Sequence, residues 1–170
     1  MQRSDFSEMQ CSVTRAVDVI GDPWTPLVLR DVALGITRFD AIQRNLGVSR
    51  KVLSQRLAAL VEHGVVARTP YQHNPPRHDY TLTEQGKDLA MVLVALQAYG
   101  DKWILGRDNA PLVWKHFACG EQTNPVYCCD QCGEQVGPDD ALPLPGPGFV
   151  AHEFPVLGEI LQSLAAMAEA

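Results

Sequence analysis

Residues 38–63 read RFDAIQRNLGVSRKVLSQRLAALVEH, two apolar-periodic runs on either side of Leu46-Gly47-Val48. A glycine at that point breaks the helical period, so the stretch predicts two closely spaced helices, over residues 38–45 and 49–63, joined by a tight turn. In the second run Leu53, Leu57, Leu60 and Val61 fall at i, i+4, i+7 and i+8, forming one apolar stripe. Lys51, Ser54 and Gln55 project from the opposite face, with the small Ala58 in its middle, where a close approach is open. Ser49 suits the N-cap, since its hydroxyl oxygen accepts from an otherwise orphaned amide of the first turn. A supporting helix, a tight turn, and a second helix with one buried and one hydrogen-bonding face make a helix-turn-helix pattern.

Working outward, Ser12 caps a short helix to Ile20 with Val13, Ala16, Val17 and Ile20 on one face, and Gly21-Asp22-Pro23 breaks it. A second helix over 24–34 buries Leu27, Val28 and Val32 and stops at Gly35. Beyond the central pair, residues 65–69 and 79–82 predict two short strands. Between them the proline-rich run Tyr71-Gln72-His73-Asn74-Pro75-Pro76-Arg77 cannot be helical. Thr83 then caps a longer helix over 84–105. Residues 106–148 are rich in Gly, Pro and Cys with little periodicity. The run 156–168 is amphipathic through Val156, Leu157, Ile160, Leu161, Leu164 and Met167. The expected fold is therefore mainly α with a small two-stranded β-wing, a winged helix-turn-helix with a Cys-containing C-terminal appendage. The expected domains are 1–105 and 106–170.

Composition bounds the function. Of 170 residues 46% are hydrophobic, enough for a core. No run approaches the roughly 20 apolar residues of a membrane span. The opening MQRSDFSEMQ lacks an apolar segment, so no secretory signal is expected and the cytoplasm is the expected compartment. A net charge of −6 looks unsuited to nucleic acid, but the charge is uneven. Residues 36–78 carry seven basic side chains (Arg38, Arg44, Arg50, Lys51, Arg56, Arg68, Arg77) against Asp40 and Glu62, a net +5, while residues 83–170 carry four basic against twelve acidic, a net −8. A basic block within an acidic chain is the localised footprint that phosphate contact requires.

Arg and Lys pair with guanine and Gln with adenine in the major groove, which makes Arg50, Lys51, Ser54 and Gln55 the candidate base or near-base contacts. Ser49 lies at a helix N-terminus, a favoured place for phosphate. Arg56 flanks the apolar stripe and suits a phosphate contact or an internal ion pair better than base readout. Arg38 joins the basic set, and His73 and Arg77 on the wing are candidates for the backbone or minor groove. An ordinary amphipathic surface helix would account for the stripe by itself. The turn, the following strand pair and the local charge together favour double-stranded DNA as the partner.

The runs Cys11-Ser-Val-Thr-Arg-Ala-Val-Asp-Val-Ile-Gly-Asp-Pro-Trp24, Leu27-Val-Leu-Arg30-Asp31, Arg38-Phe39, Val52-Leu53-Ser54-Gln55-Arg56-Leu57, Pro75-Pro76-Arg77 and Tyr80-Thr81-Leu82-Thr83-Glu84-Gln85-Gly86 resemble the HxlR-type regulators, relatives of the MarR group. The likeness covers about residues 11–105, with Pro23 standing where that family has a small or basic residue. It implies a homodimer that binds an inverted-repeat operator and controls transcription of nearby genes. It says nothing of residues 106–170. Local support for dimerisation comes from the helix after Thr83, where Leu89, Met91, Val92, Leu93, Val94, Leu96, Tyr99 and Trp103 give wider apolar coverage than one core face needs. A helix packed on all sides within one chain is the alternative.

Five cysteines, four of them between 119 and 132, remain to be explained. Cys11 near a helix N-terminus, with Arg15 one turn on, is a candidate redox-sensing thiolate, as in some HxlR relatives; a small buried hydrophobe is the competing reading. In the tail, His116-x2-Cys119-Gly120 and Cys129-x2-Cys132-Gly133 resemble zinc-ribbon knuckles. His116, Cys119, Cys129 and Cys132 are thus candidate ligands of a structural zinc ion in a segment with little else to fold it. A loop of reduced thiols, with Cys128 or Cys129 redox-active, competes with that. An enzyme is disfavoured, because no βαβ pattern surrounds the CxxC and no phosphate loop or paired-carboxylate cleft is visible. A winged helix used for protein contacts is the remaining alternative, and the effector, small-molecule or redox, is left open.

Overall fold

The computed structural model describes residues 9–137 and 139–168. It divides into two compact units, Ala16–Asn124 and Met1–Arg15 with Pro125–Ala170. The larger unit holds the core. After α1 (Ser12–Ile20) come α2 (Thr25–Ala33), α3 (Phe39–Leu46), α4 (Arg50–Glu62), β1 (Val66–His73), β2 (Pro76–Leu82) and α5 (Glu84–Gly100). This is the mainly helical fold with a two-stranded wing that the sequence predicts.

Helix α2 is the hub, packing against α3, α4, α5 and β2. Its buried Val28, Leu29 and Val32 meet Ile42 of α3, Leu53, Leu57 and Leu60 of α4, and Val65, Val66 and Tyr80 around the wing. Asp22 caps its start from outside, accepting the amides of Trp24 at 2.9 Å and Thr25 at 3.2 Å and the Thr25 hydroxyl. Helix α3 stops because Gly47 turns left-handed at φ +65°, its amide closing on the Gln43 carbonyl at 2.9 Å. Two residues later Ser49 Oγ accepts the Val52 amide at 3.3 Å and opens α4. Asp31 is buried within this core, its carboxylate satisfied by Arg30 on one oxygen and by Asn45 Nδ2, at 2.8 Å, on the other. That bond ties α2 to the last turn of α3.

The wing is longer than residues 65–69 and 79–82. The strands pair antiparallel from Val66↔Leu82 out to His73↔Pro76, leaving Asn74-Pro75, a cis peptide, as the tip. Prolines at 70 and 76 hide these strands from a propensity reading. The register skips at Tyr71, a bulge that re-aims its side chain. Tyr80 also donates its amide to the Thr37 carbonyl at 2.8 Å, so the segment entering α3 is stitched to the wing.

Thr83 caps α5 as expected, its Oγ1 accepting the Gly86 amide at 3.1 Å. The α-helix ends at Gly100 and not at 105, and Asp101–Leu105 continue as a π-helical turn. Trp114 of β3 (Trp114–Lys115), paired with β4 (Gln122–Thr123), donates its indole N–H to Gln97 of α5 at 3.2 Å. Of the apolar face read on α1, Val13, Ala16 and Val17 are exposed, while Ile20 packs on the core together with Val19. The core takes up only the last turn of this nine-residue helix. In the smaller unit α6 (Pro155–Ala168) buries Leu161 and leaves Val156, Leu157 and Ile160 exposed, while the side chain of Met167 lies outside the described residues.

Candidate nucleic-acid interface

On α4, Lys51, Ser54, Gln55 and Ala58 are all exposed and Leu53, Leu57 and Leu60 are buried, the division the periodicity requires. Beside this face, between α3, the start of α4 and the wing, lies a concavity of about 640 Å³. Five guanidinium groups line it, those of Arg38, Arg44, Arg50, Arg68 and Arg77, together with His78; Asp40 is the single carboxylate. Such a concentration of like charge persists in a folded chain only where solvent or an anion screens it.

The arginines are arranged in two ways. Three are held. Arg38 stacks 4.5 Å over the ring of bulged Tyr71 and stands 3.6 Å from Asp79. Arg50 donates to Asp40 at 2.9 Å, and Arg68 lies 3.2 Å from His78 Nδ1. The guanidinium groups of Arg44 and Arg77 make no hydrogen bond or ion pair among the described residues. A chain that leaves two guanidinium groups free in one basic hollow has donors ready for phosphate oxygens.

Of the residues expected from sequence, Arg38, Arg50, Ser54 and Arg77 line the concavity, while Ser49, Lys51, Gln55 and His73 do not. Ser49 spends its hydroxyl on the cap, and His73 is exposed at the wing tip. Arg56 points elsewhere. Its Nε is 3.3 Å from Asp22 Oδ1, ion-pair distance without hydrogen-bond alignment, so α4 is tied to the cap of α2. This is the internal ion pair expected as one of its two roles. Sequence reasoning passed over Arg44, Arg68, His78, Tyr71 and Phe39. The charge count contains Arg44 and Arg68, but only the bulge at Tyr71 and the longer strands bring the wing residues to the same hollow.

The family model for the HxlR-like helix-turn-helix matches residues 19–108. This chain belongs to the HxlR family. Uncharacterised HTH-type transcriptional regulators of Mycobacterium bovis and Mycobacterium tuberculosis are 43% identical over 140 residues, 82% of this chain and 89% of theirs. Among solved structures, PA1607, described as a transcription-factor candidate, superposes with a TM-score of 0.70 at 30% identity, covering 82% of this chain and 97% of its own. PA1374 of Pseudomonas aeruginosa, described in the same way, gives 0.60 at 28% identity over 84% of this chain and 97% of its own. The reduced form of the redox regulator HypR gives 0.51 at 28% identity over 54% of this chain and 92% of its own. This HxlR-family chain is accordingly a transcriptional regulator of the helix-turn-helix type.

Its thiols have distinct settings. Cys11 is half-buried, and its pKa lies below the ordinary thiol value because the Thr14 hydroxyl, then the amides of Thr14 and Val13, donate to it. The expected cause, Arg15, is not among them; the helix N-terminus is. His116 Nδ1 lies 3.3 Å from Cys119 Sγ. The Gly120 amide closes on the His116 carbonyl at 2.8 Å, and the His116 amide on that of Glu121 at 2.9 Å. The second tip repeats this pattern, Gly133 on Cys129 and Cys129 on Glu134, each at 2.8 Å, with both glycines left-handed at φ +76° and +78°. The Cys129 thiol is pulled below its ordinary value by the amides of Cys132 and Gln131 and by the Cys132 thiol. Among the described residues no group of three or more His, Cys, Asp or Glu side chains stands close enough to hold a metal ion. No helix among them is long and apolar enough to cross a membrane.

Proposed function

We propose that this HxlR-family protein is a sequence-specific regulator that reads double-stranded DNA as a homodimer on an inverted repeat, in the compartment that holds the chromosome. The observation that carries the DNA half is the basic concavity beside the exposed face of α4. With α4 in the major groove, Lys51, Ser54 and Gln55 meet base edges, and Arg44 and Arg77 meet the phosphates on either side. Fluorescence anisotropy tests it, using duplex from the gene's own upstream region and a scrambled control at two salt concentrations. Wild-type protein is expected to prefer the native duplex and to weaken as salt rises. Lys51→Glu removes that binding. Retention of full affinity by Lys51→Glu overturns the assignment of α4.

The homodimer rests on apolar surface. Met91, Val92, Leu96 and Tyr99 of α5 are exposed, followed in the π-helical turn by Trp103 at 66%, Ile104 at 72% and Leu105. A run of that size on one segment is what an interface with a second copy buries.

A redox-responsive regulator is the second reading, favoured by the activated Cys11 and by the likeness to HypR. For the tail we propose zinc as the metal of its ligand pairs, His116 with Cys119 and Cys129 with Cys132. The support is that each pair sits on the same kind of glycine turn, with His116 Nδ1 3.3 Å from Cys119 Sγ in one and the amides of Cys132 and Gln131 on the Cys129 sulfur in the other. Protein purified without chelator is then expected to carry about one equivalent of zinc, and less than about one-tenth equivalent excludes it.

A further inference from the structure

Arg50 belongs to α4, yet α3 holds it. Its Nη1 donates to Asp40 Oδ1 at 2.9 Å and to Gln43 Oε1 at 3.3 Å, and its guanidinium carbon lies 4.8 Å from the centre of the Phe39 ring. All three partners come from the supporting helix. They hold one end of the guanidinium, at Nη1, beside the Phe39 ring. Nε and Nη2 make no hydrogen bond among the described residues, so three N–H donors on two nitrogens stay free on the held group. Arg50 and Asp40 are both more than half exposed, and DNA reaches them without local unfolding.

We propose that Asp40 is a specificity-determining residue that positions Arg50 for a base edge and turns it away from phosphate. This rests on α4 being the groove-reading helix. A bare guanidinium gains most from a phosphate, where full charges meet. Once Asp40 neutralises it, that Coulomb gain falls, while hydrogen bonding to the neutral guanine edge, with its O6 and N7 acceptors, depends on donor geometry and is kept. Asp40 is the single carboxylate lining a hollow with five arginines; apart from Arg50 only Arg38 has a carboxylate near it, Asp79 at 3.6 Å, so Arg44, Arg68 and Arg77 keep their full charge. Arg44 and Arg77, which have no such partner, take the phosphates. Labour is divided between held and free arginines. An exposed ion pair adds little to stability, so its loss leaves the fold intact.

The test uses the full chain and two duplexes, one selected from a randomised pool by wild-type protein and a scrambled version of it, each titrated by anisotropy across a salt series. Asp40→Asn is expected to bind the scrambled duplex several-fold tighter, with a salt slope steeper by about one. The ratio of selected to scrambled affinity falls by about tenfold, the order of one bidentate base contact. In an Arg50→Ala background, Asp40→Asn leaves that ratio unchanged, which separates positioning of Arg50 from general electrostatics. An unaltered ratio in Asp40→Asn, or an equal fall in both backgrounds, overturns the role of Asp40 while leaving the DNA reading standing. If wild-type protein selects no duplex, the DNA reading itself fails and this inference with it.

Discussion

The side chains that organise this regulator work in small sets joining two elements. Asp22 serves the cap of α2 and the guanidinium of Arg56 on α4 together. Asp31, buried and charged, is tolerated because Arg30 and Asn45 satisfy both of its oxygens. Cys11 follows the same rule at the chemical level, since a thiolate accepting a hydroxyl and two amide hydrogens is stabilised relative to the thiol. The sign follows directly: a lowered pKa means that more thiolate is present at any pH below the ordinary thiol value. Alkylation of Cys11 by iodoacetamide, followed peptide by peptide in a mass spectrometer, should therefore have its midpoint below that of an unperturbed thiol. Thr14→Val removes the largest contribution and should move the midpoint up. No change in that variant would remove the physical basis for a sensor at this position.

Among the elements, the placement of α5 depends on one glycine. A Cβ on Gly86 would overlap the carbonyl oxygen of Val65, so the first turn of α5 lies directly against the backbone entering the wing. Thr83 reinforces the junction, donating its hydroxyl to the Gly64 carbonyl at 2.6 Å while accepting from Gly86. Gly86→Ala should cost about 1–3 kcal/mol, the range for overpacking, although alanine is the better helix former. Urea unfolding checks the sign, and a stabilised variant would show that this contact relaxes freely. Gly47 acts differently, because open space surrounds it and its left-handed φ alone makes it the hinge of the helix-turn-helix.

At the scale of the whole molecule, apolar surface and charge are separated along the chain. The basic set lies on α3, α4 and the wing, and the exposed apolar run lies on α5 and the turn after it. A protein that dimerises through the second and binds through the first reads two half-sites about 34–36 Å apart. Trp103→Glu should convert the dimer to monomer in analytical ultracentrifugation. It should lower affinity for the inverted repeat by tenfold or more while leaving half-site binding nearly unchanged, since avidity alone is lost. A wild-type monomer at micromolar concentration would contradict this arrangement.

Local rules wrote much of this protein into its sequence. Leu53, Leu57 and Leu60 had to share a buried face because of their spacing, Gly47 had to end a helix, and Ser49 and Thr83 had to cap the next ones. Those features depend on a few neighbouring residues and on the 3.6-residue period. The family likeness needed only the same local runs. The tertiary structure decided which arginines meet. Arg68 and Arg77 reach the hollow through the long register of the wing, where Arg38 from the start of α3 stacks on the bulged Tyr71, and prolines inside the strands mask both register and bulge from a local reading. It also decided that Val13 and Val17 are exposed, that α5 gives way to a π-helical turn at Asp101, and that Arg50 is held by Asp40. Each of these is settled by contacts between residues distant along the chain or on different elements, and no periodicity within one segment encodes such a contact.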